Sequence, residues 1–247
     1  MMQTPQTLPA LVTGPEHVPI AVRDLDGAAK RYEAMGFALK PGTSHANGIR
    51  NLHAKFADGT EIELITAPKA VDALTTTYVR HLSVGDGPAF LALFARDVAD
   101  VNARYPSSRR PSYWFFGAGN FSPTDKPEHF THRNTATSLV SVWLAGADLS
   151  RERALLAALG ARMARGPAAV PDVSDAEIAT FDRGTIVLLP AGRQVAASRP
   201  IVGLTIAVDN IATTMTFLAG AGIRRAGNSA FVPPDAGLGY WLEFRQR

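Results

Sequence analysis

The chain repeats one local pattern four times, and this repeat limits its fold more than any other feature. In each copy an apolar strand ends in a polar corner and is followed by apolar residues at helical spacing. The copies are HVPIAVRDLDGAAKRYEAMGF (17–37), FLALFARDVADVNARY (90–105), VSVWLAGADLSRERALLAALGA (140–161) and LTIAVDNIATTMTFLAGAGI (204–223). Aspartates at the corners suit helix N-caps, and a glycine after the helix suits a left-handed end. We therefore predict four strand–corner–helix units.

The segments after these helices are strand-like and rich in turn residues, which completes a βαβββ unit. After the first helix come LHAKF, the turn ADGT and EIELIT, and the fourth unit ends in YWLEFR. We assign modules 1 and 2 to residues 15–147, with module 2 degenerate, and modules 3 and 4 to residues 139–247, sharing the strand at 139–147 as the boundary. The segment KAVDALTTTYVRHLSVGDGP (69–88) is interpreted as a linker or insertion.

Composition narrows the classes of function. The 25 Lys and Arg against 22 Asp and Glu form no basic stripe with interleaved aromatic residues, so no nucleic-acid partner is expected. The absence of cysteine excludes disulfides, thiolate nucleophiles and Cys-zinc sites. The amino-terminal segment lacks a basic region and a long apolar run, and no later segment is apolar enough to span a membrane. We expect a soluble, cytoplasmic protein without membrane contact.

The first unit resembles the vicinal oxygen chelate superfamily, which includes glyoxalase I, extradiol dioxygenases and bleomycin- or fosfomycin-resistance proteins. Within it, the similarity is to the glyoxalase-like domain group. The residues that carry it are Pro41, Gly42, His45, Gly48, Arg50, Asn51, Ala54, Phe56, Asp58, Gly59, Glu63, Leu64 and Ile65. The resemblance implies an α+β fold in which repeated βαβββ modules form curved mixed sheets around a cup, with the helices outside.

Strand alternation predicts which side chains face the cup. In the first strand Val18 and Ile20 share the helix face, so His17 lies on the opposite face. In EIELI the same reasoning places Glu63 on that opposite face. A three-residue turn, 58–60, would place Lys55 opposite Glu63 and His53 near Ile65, which adds His53 and Lys55 to the cup.

The resemblance also implies a divalent metal ion, with Fe, Mn, Zn and Ni all compatible. In the superfamily, first-strand histidines and last-strand glutamates of two paired units hold the metal, and His17 and Glu63 match these positions. Glu243 matches the last-strand position of the fourth unit. The other matching positions carry no histidine or glutamate, since they are Phe90, Ser141, Gly203 and Val187.

A metal site with free positions for substrate needs about three protein ligands. His17 and Glu63 supply two, so the third ligand is left undecided. His53, the pair His129 and His132, and Glu243 are the alternatives, and we select His53 beside His17 and Glu63. Glu63 and Glu243 are the candidate catalytic carboxylates.

Two further groups of residues are candidates for substrate contact. His45, Arg50 and Asn51 belong to a glycine-containing connection at the cup's rim, where they could bind an anion or serve a turn. Trp114 and Phe116 belong to an aromatic segment that could cover a substrate or form an irregular edge.

These features support two main hypotheses of function. The first is an enzyme that uses a divalent metal to act on a small oxygen-rich substrate, as a glyoxalase-like isomerase or lyase or as a ring-cleaving dioxygenase. The second is a metal-free small-molecule binding protein of the bleomycin-resistance type, which the missing second histidine favours. A third interpretation is a homodimer in which units pair across chains and the cup is purely structural.

Overall fold

A computed structural model describes residues 10–168, 170–171, 173–218, 222–236 and 238–247. Residues 1–9, which begin the amino-terminal segment discussed above, lie outside the described part. The amino-terminal half contains β1 (Val12–Pro15), β2 (His17–Ala21), α1 (Leu25–Ala34), β3 (Lys40–Pro41), β4 (Arg50–Lys55), β5 (Glu61–Thr66), α2 (Ala73–Leu82), β6 (Gly87–Pro88), β7 (Leu91–Ala95), α3 (Val98–Arg104) and β8 (Trp114–Gly117).

The carboxy-terminal half repeats strands and helices in the predicted order. Its elements are β9 (Ala136–Gly146), α4 (Ser150–Ala158), β10 (Arg162–Gly166), β11 (Ala176–Phe181), β12 (Gly184–Pro190), β13 (Ile201–Val208), α5 (Ile211–Phe217), β14 (Arg224–Ala226), β15 (Ser229–Val232) and β16 (Trp241–Gln246). Short 3-10 turns occupy Ser107–Arg109, Pro127–Phe130, Ala191–Arg193 and Pro234–Ala236. No helix in the described ranges is long and apolar enough to cross a membrane.

The helix ends follow the local chemistry of the repeat. Asp24 accepts a hydrogen bond from the Gly27 N–H (2.9 Å), which satisfies an otherwise unpaired donor at the start of α1. Gly36, just beyond α1, has a φ of +88°, a left-handed conformation that glycine adopts without strain. Asp97 caps α3 in the same way as Asp24 caps α1.

The strands form the predicted mixed sheets. The eight-stranded sheet has the order β10-β11-β12-β9-β13-β16-β15-β14, and its two βαβββ units join through the antiparallel pair β9–β13. The five-stranded sheet has the order β3-β4-β5-β2-β6, and the three-stranded sheet has the order β1-β7-β8. Hydrogen bonds from Glu16 N to Ala92 O (2.9 Å) and from Ala89 N to Pro19 O (2.8 Å) connect these two sheets. The fold is α+β with repeated βαβββ modules.

One continuous core lies between the two halves. Val18, Ile20 and Leu64 of the five-stranded sheet belong to the same buried cluster as Leu204 and Phe244 of the eight-stranded sheet. At its centre the hydroxyl groups of Tyr32 and Tyr240 form a buried hydrogen bond. Each sheet packs one face against this core. We call its opposite face, the one that the sequence analysis assigned to the cup, the inner face.

The β4–β5 hairpin differs from the predicted register. Lys55 pairs with Glu61 and His53 pairs with Glu63, because residues 56–60 form a longer turn than the predicted three residues. Within it the Thr60 N–H donates to the Asp58 carboxylate (3.0 Å). The expected pairing of Lys55 with Glu63 is therefore wrong by two residues. An even shift preserves alternation, so the same side chains still face inward.

Candidate functional site

A cavity of about 470 Å³ opens on the inner face of the amino-terminal half. We call it the first cup. It is lined by His17, Pro19, His45, Ile49, Glu63, Ile65, Leu74, Tyr78, Phe90, Ser107, Arg110, Pro111, Ser112, Trp114 and Phe115. Strands β2 and β5, helix α2, the turn before β7 and strand β8 all contribute to it.

His17 and Glu63 lie side by side on the floor of the first cup. Parallel pairing of β2 with β5 places Pro19 beside Glu63, and alternation turns His17 and Glu63 to the inner face. The His17 Nε2 atom is 3.9 Å from Glu63 Oε2. Both side chains are about nine-tenths buried, with 11% and 13% of their areas exposed.

Neighbouring polar groups fix both side chains. The Asn51 amide donates to Glu63 Oε1 (2.7 Å), which leaves Oε2 on the His17 side. The Nδ1 atom of His17 is 3.0 Å from the Asn120 amide nitrogen and 3.6 Å from Glu16 Oε2. Glu16 Oε1 accepts a hydrogen bond from the Gly119 N–H (2.7 Å), whereas its buried Oε2 has no hydrogen-bond partner.

The carboxylates around His17 favour its charged form. Burial alone would lower the pKa of His17, but the interaction with Glu16 and the negative charges of Glu61 and Glu63 outweigh it and raise the pKa. The floor of the first cup therefore places an easily protonated imidazole among carboxylates.

The opposite wall of the first cup is aromatic. The Phe115 ring meets the His17 ring edge to face at 5.0 Å, and Phe90 lies 6.4 Å from Phe115. Tyr78 of α2 packs against Phe90 at 5.4 Å. Burial and the charge of Glu63 raise the pKa of Tyr78, so its hydroxyl stays protonated. The wall suits a flat apolar surface, since aromatic rings prefer edge-to-face or offset contacts.

Arg110 brings a positive charge to the lining. Its Nη1 donates to Asn102 Oδ1 (2.7 Å) and to the Tyr105 carbonyl (3.0 Å), and its guanidinium lies 5.1 Å from the centre of the Phe116 ring. These contacts hold the guanidinium in place at the cavity.

The predicted substrate residues divide between the cavity and other places. His45 and Trp114 line the first cup. Asn51 does not line it but donates a hydrogen bond to Glu63, which does. Trp114 and Phe116 belong to the main core, and Phe115 between them has its ring against His17. Arg50 does not line the first cup, because its largely exposed side chain pairs with Asp26 at 3.2 Å.

His53 lies on the inner face but outside the first cup. Its Nδ1 is 2.8 Å from Glu61 Oε1, and it lines a separate cavity of about 230 Å³ with Lys40 and Lys55. The segment 119–125 lies over this region, since Asp125 pairs with Lys40 (2.5 Å) and Lys55 (2.9 Å). The predicted set of His17, Glu63 and His53 is therefore divided between two cavities.

Glu243 belongs to the other half of the molecule. Its fully buried carboxylate accepts hydrogen bonds from Thr205 Oγ1 (2.6 Å), Ser229 Oγ (2.6 Å) and the Arg245 guanidinium (2.9 and 2.7 Å). Glu63 belongs to β5 of the five-stranded sheet and Glu243 to β16 of the eight-stranded sheet, so the two carboxylates lie on different sheets.

Side chains fill the inner face around Glu243, which we call the second cup. Trp143, Val187 and Phe231 are buried there in one apolar cluster. The Trp143 ring lies over Gly203, where an added Cβ would be 2.2 Å from ring atom Cε3. The second cup is thus occupied by its own tryptophan.

The histidines of the aromatic segment have backbone partners. His132 Nδ1 accepts from the Ala38 N–H (3.0 Å), and its Nε2 lies 2.9 Å from the Lys55 carbonyl. Burial lowers the pKa of His132, which fits a neutral ring with Nε2–H as the donor. His129 Nδ1 accepts from the Lys126 N–H (3.0 Å).

The donor set of the first cup does not fit a three-ligand metal site. His17 and Glu63 offer two adjacent donors, the facing positions are Phe90 and Phe115, and His45 is the other histidine of the lining. Among the residues that the structure describes, no group of three or more His, Asp or Glu side chains is arranged to hold a metal ion. Non-haem metal sites with open positions use about two histidines and a carboxylate.

Sequence reasoning missed several lining residues. Leu74 and Tyr78 lie on α2, in the segment interpreted as a linker or insertion, and Arg110 follows the 3-10 turn Ser107–Arg109. A signal for α2 was present, because Asp72 and Thr75 have the spacing of a capping box. Alternation in β8 would have assigned Phe115 to the inner face, because Trp114 and Phe116 on either side of it face the core.

Comparisons with known proteins agree with this architecture. Residues 16–112 match the model of a glyoxalase-like domain. No curated protein matches the sequence. A fusion of a xylose isomerase-like TIM barrel with 4-hydroxyphenylpyruvate dioxygenase is similar in structure, with a TM-score of 0.68 and 13% identity over 97% of this chain. The present chain spans 49% of that protein, about half its length.

Two other solved structures cover this chain almost completely. A triple mutant of 4-hydroxymandelate synthase from Streptomyces coelicolor has a TM-score of 0.67 and 14% identity, over 96% of this chain and 93% of its own. A variant of homoprotocatechuate 2,3-dioxygenase from B. fuscum has a TM-score of 0.64 and 13% identity, over 98% and 73%. The chain therefore carries a glyoxalase-like domain at residues 16–112 and shares its overall fold with these dioxygenase and synthase structures.

Proposed function

We propose that the first cup binds a small, flat, mostly apolar molecule that carries a hydrogen-bonding group, and that this binding requires no metal ion. One observation carries the proposal. At the positions that would complete a metal site across from His17 and Glu63, this chain has Phe90 and Phe115. These side chains replace donor atoms with ring faces and edges, which favour an aromatic guest.

The remaining lining supports the same ligand class. A volume of about 470 Å³ is within the range of sites for small molecules, and such sites combine apolar walls with a few placed polar groups. Glu63 Oε2 and the His17 ring supply polar contacts at the floor, and Arg110 supplies a positive charge elsewhere in the lining. A small molecule is therefore the partner that we propose.

A metal-dependent enzyme is the second candidate. It is favoured by the adjacency of His17 and Glu63 at the ligand positions implied by the resemblance, and by a fold shared with dioxygenases. In such an enzyme Glu63 would be the candidate proton carrier. This candidate requires further ligands besides His17 and Glu63, because the described residues include no group of three such donors arranged around one metal ion.

Binding can be tested with the fluorescent aromatic sulfonate 8-anilinonaphthalene-1-sulfonate. Phe115→Ala removes a ring from the wall, and we expect it to weaken dye binding about tenfold, since a buried aromatic contact contributes on the order of 1–2 kcal/mol. Phe121→Ala is the matched control, because Phe121 is 63% exposed and does not line the first cup. Equal dye affinity in Phe115→Ala and Phe121→Ala would contradict the proposal.

Metal analysis separates the two candidates. Protein purified without a His tag, and the variant His17→Ala/Glu63→Ala, would be analysed by plasma mass spectrometry. We expect far less than one metal ion per chain in both, and unchanged dye binding after dialysis against EDTA. One metal ion per wild-type chain, lost in the double variant, would instead support the metal-dependent enzyme. An aerobic and anaerobic substrate screen would then distinguish oxygenase from isomerase or lyase chemistry.

A further inference from the structure

Helix α2 forms one wall of the first cup, although it lies outside the repeated βαβββ unit. It connects β5 to β6 and contributes Leu74 and Tyr78 to the cavity. Tyr78 is buried against Phe90, whereas Leu74 is about half exposed at the edge. The position of α2 therefore determines the shape of the cavity.

The amino-terminal end of α2 is fixed within the same half of the molecule. Asp72 accepts from the Thr75 N–H (2.7 Å) and from the Asn47 amide (2.9 Å). Asn47 belongs to the loop that also supplies His45 and Ile49 to the cavity. A hydrogen bond thus links this end of the helix to the loop beside it.

The carboxyl end of α2 is bound by two arginines from different halves. Arg23, which follows β2, donates through Nε and Nη2 to the Leu82 carbonyl (3.0 and 2.8 Å). Arg199, which precedes β13, donates to the carbonyls of His81 (2.6 Å), Asp86 (2.7 Å) and Gly85. The last carbonyls of a helix have no partner within the helix, and cations are favourable there.

Arg199 is enclosed by the turn that it binds. Only 5% of its surface is exposed. A Cβ added at Gly87 would lie 2.9 Å from Arg199 Nη1, and one added at Gly239 would lie 2.2 Å from the Asp86 carbonyl oxygen. The turn after α2 is therefore packed closely between Arg199 and the loop around Gly239, both from the carboxy-terminal half.

We propose that Arg199 is a positioning residue that holds helix α2 against the first cup from the other half of the molecule, and so determines how tightly the cup binds its ligand. Arg199 does not line the cavity, and its effect on a ligand passes through α2 and Tyr78. The proposal depends on the ligand-binding function proposed above. It assigns to the carboxy-terminal half an effect, transmitted through α2, on a cavity that this half does not line.

Hydrogen exchange measures the positioning without any ligand. In Arg199→Ala we expect the amides of residues 76–83 to exchange about tenfold faster, because the carboxyl end of α2 loses its partners, while β9 and β13 keep their protection. Arg199→Lys retains the charge but has fewer donors, so its α2 amides should exchange at rates between those of the wild type and Arg199→Ala. The control is Arg165→Ala, which removes an exposed arginine paired with Asp175 in the same half. Unchanged exchange in α2, or a uniform increase over the whole chain, would overturn the proposal.

Binding of 8-anilinonaphthalene-1-sulfonate then connects the helix to the cavity. We expect Arg199→Ala to bind the dye about three- to tenfold more weakly, and guanidinium chloride at about 10 mM, but not sodium chloride, to restore part of the affinity. If Arg199→Ala proves too unstable, Arg199→Lys serves in its place. Faster exchange in α2 with unchanged dye affinity would overturn the link to the ligand. Failure of the wild type to bind the dye in the cup would instead refute the proposed function, and the exchange result would still stand.

Discussion

The Nε2 atom of His17 lies 3.9 Å from Oε2 of Glu63, and both side chains face a cavity whose other wall is aromatic. Because Glu63 is one of three carboxylates that raise the pKa of His17, its neutralisation should have a measurable effect. We predict that Glu63→Gln lowers the pKa of His17, because it removes one of these negative charges. The signal of the His17 ring in an NMR pH titration reports this change, and Glu243→Gln should leave it unaltered.

A second prediction concerns Asp125, which pairs with Lys40 and Lys55 over the smaller cavity. Burial alone would raise the pKa of Asp125, but the two lysines and the Ser122 N–H outweigh it and lower the pKa to about 2. Since the pKa is lower in the folded than in the unfolded chain, the stabilisation is complete above pH 4 and is lost as pH falls towards 2.

Asp125→Asn should therefore reduce the free energy of unfolding by about 2 kcal/mol at pH 7 and by much less near pH 2. Urea denaturation at several pH values measures this difference. An equal loss of stability at pH 7 and at pH 2.5 would contradict the assignment.

The third prediction concerns His81 at the carboxyl end of α2. Burial, followed by the positive charge of Arg199, lowers the pKa of His81 to about 4. The unfolded chain thus binds more protons between pH 4 and about 6.5, and stability should fall as pH decreases through this range. After allowance for the partial exposure of His81, we expect the free energy of unfolding to fall by on the order of 2 kcal/mol over this pH range. His81→Gln should reduce this pH dependence in chemical denaturation experiments between pH 4.5 and 7.5.

The fourth prediction contrasts the two candidate catalytic glutamates. Glu243 is fully buried and accepts hydrogen bonds from Thr205, Ser229 and Arg245. Glu243→Gln should lower the free energy of unfolding by about 2–4 kcal/mol, because it leaves buried donors and Arg245 without their anion. Glu63→Gln should change stability by about 1 kcal/mol or less and act on ligand affinity instead. Urea denaturation and dye titration of both variants measure the two effects, and a reversed order would contradict the assignment.

The repeat made much of the fold predictable. Alternation in β2 and β5 assigned His17 and Glu63 to the inner face, and the apolar stripe of α1 from Leu25 to Tyr32 is buried as expected. These features depend on neighbours in the chain, so local periodicity is sufficient to find them.

The features that were missed depend on contacts between distant segments. The five-residue turn at 56–60 is held by other elements, since the Leu139 N–H donates to Thr60 (2.9 Å) and Ser138 donates to Asp58 (2.5 Å). Likewise, the wall formed by α2 depends on Arg199, 118 positions away from His81. Neither partnership leaves a periodic trace in the sequence.

The tryptophan over Gly203 marks a difference between the inner faces of the two halves. The amino-terminal half has a cavity on its inner face, whereas in the carboxy-terminal half Trp143 lies over Gly203 and is buried in a cluster with Val187 and Phe231. The half with the filled inner face needs no ligand to complete its packing. It can therefore support the half whose cavity is open to solvent. The chain thus combines one sheet whose inner face its own side chains fill with another whose inner face keeps room for a ligand.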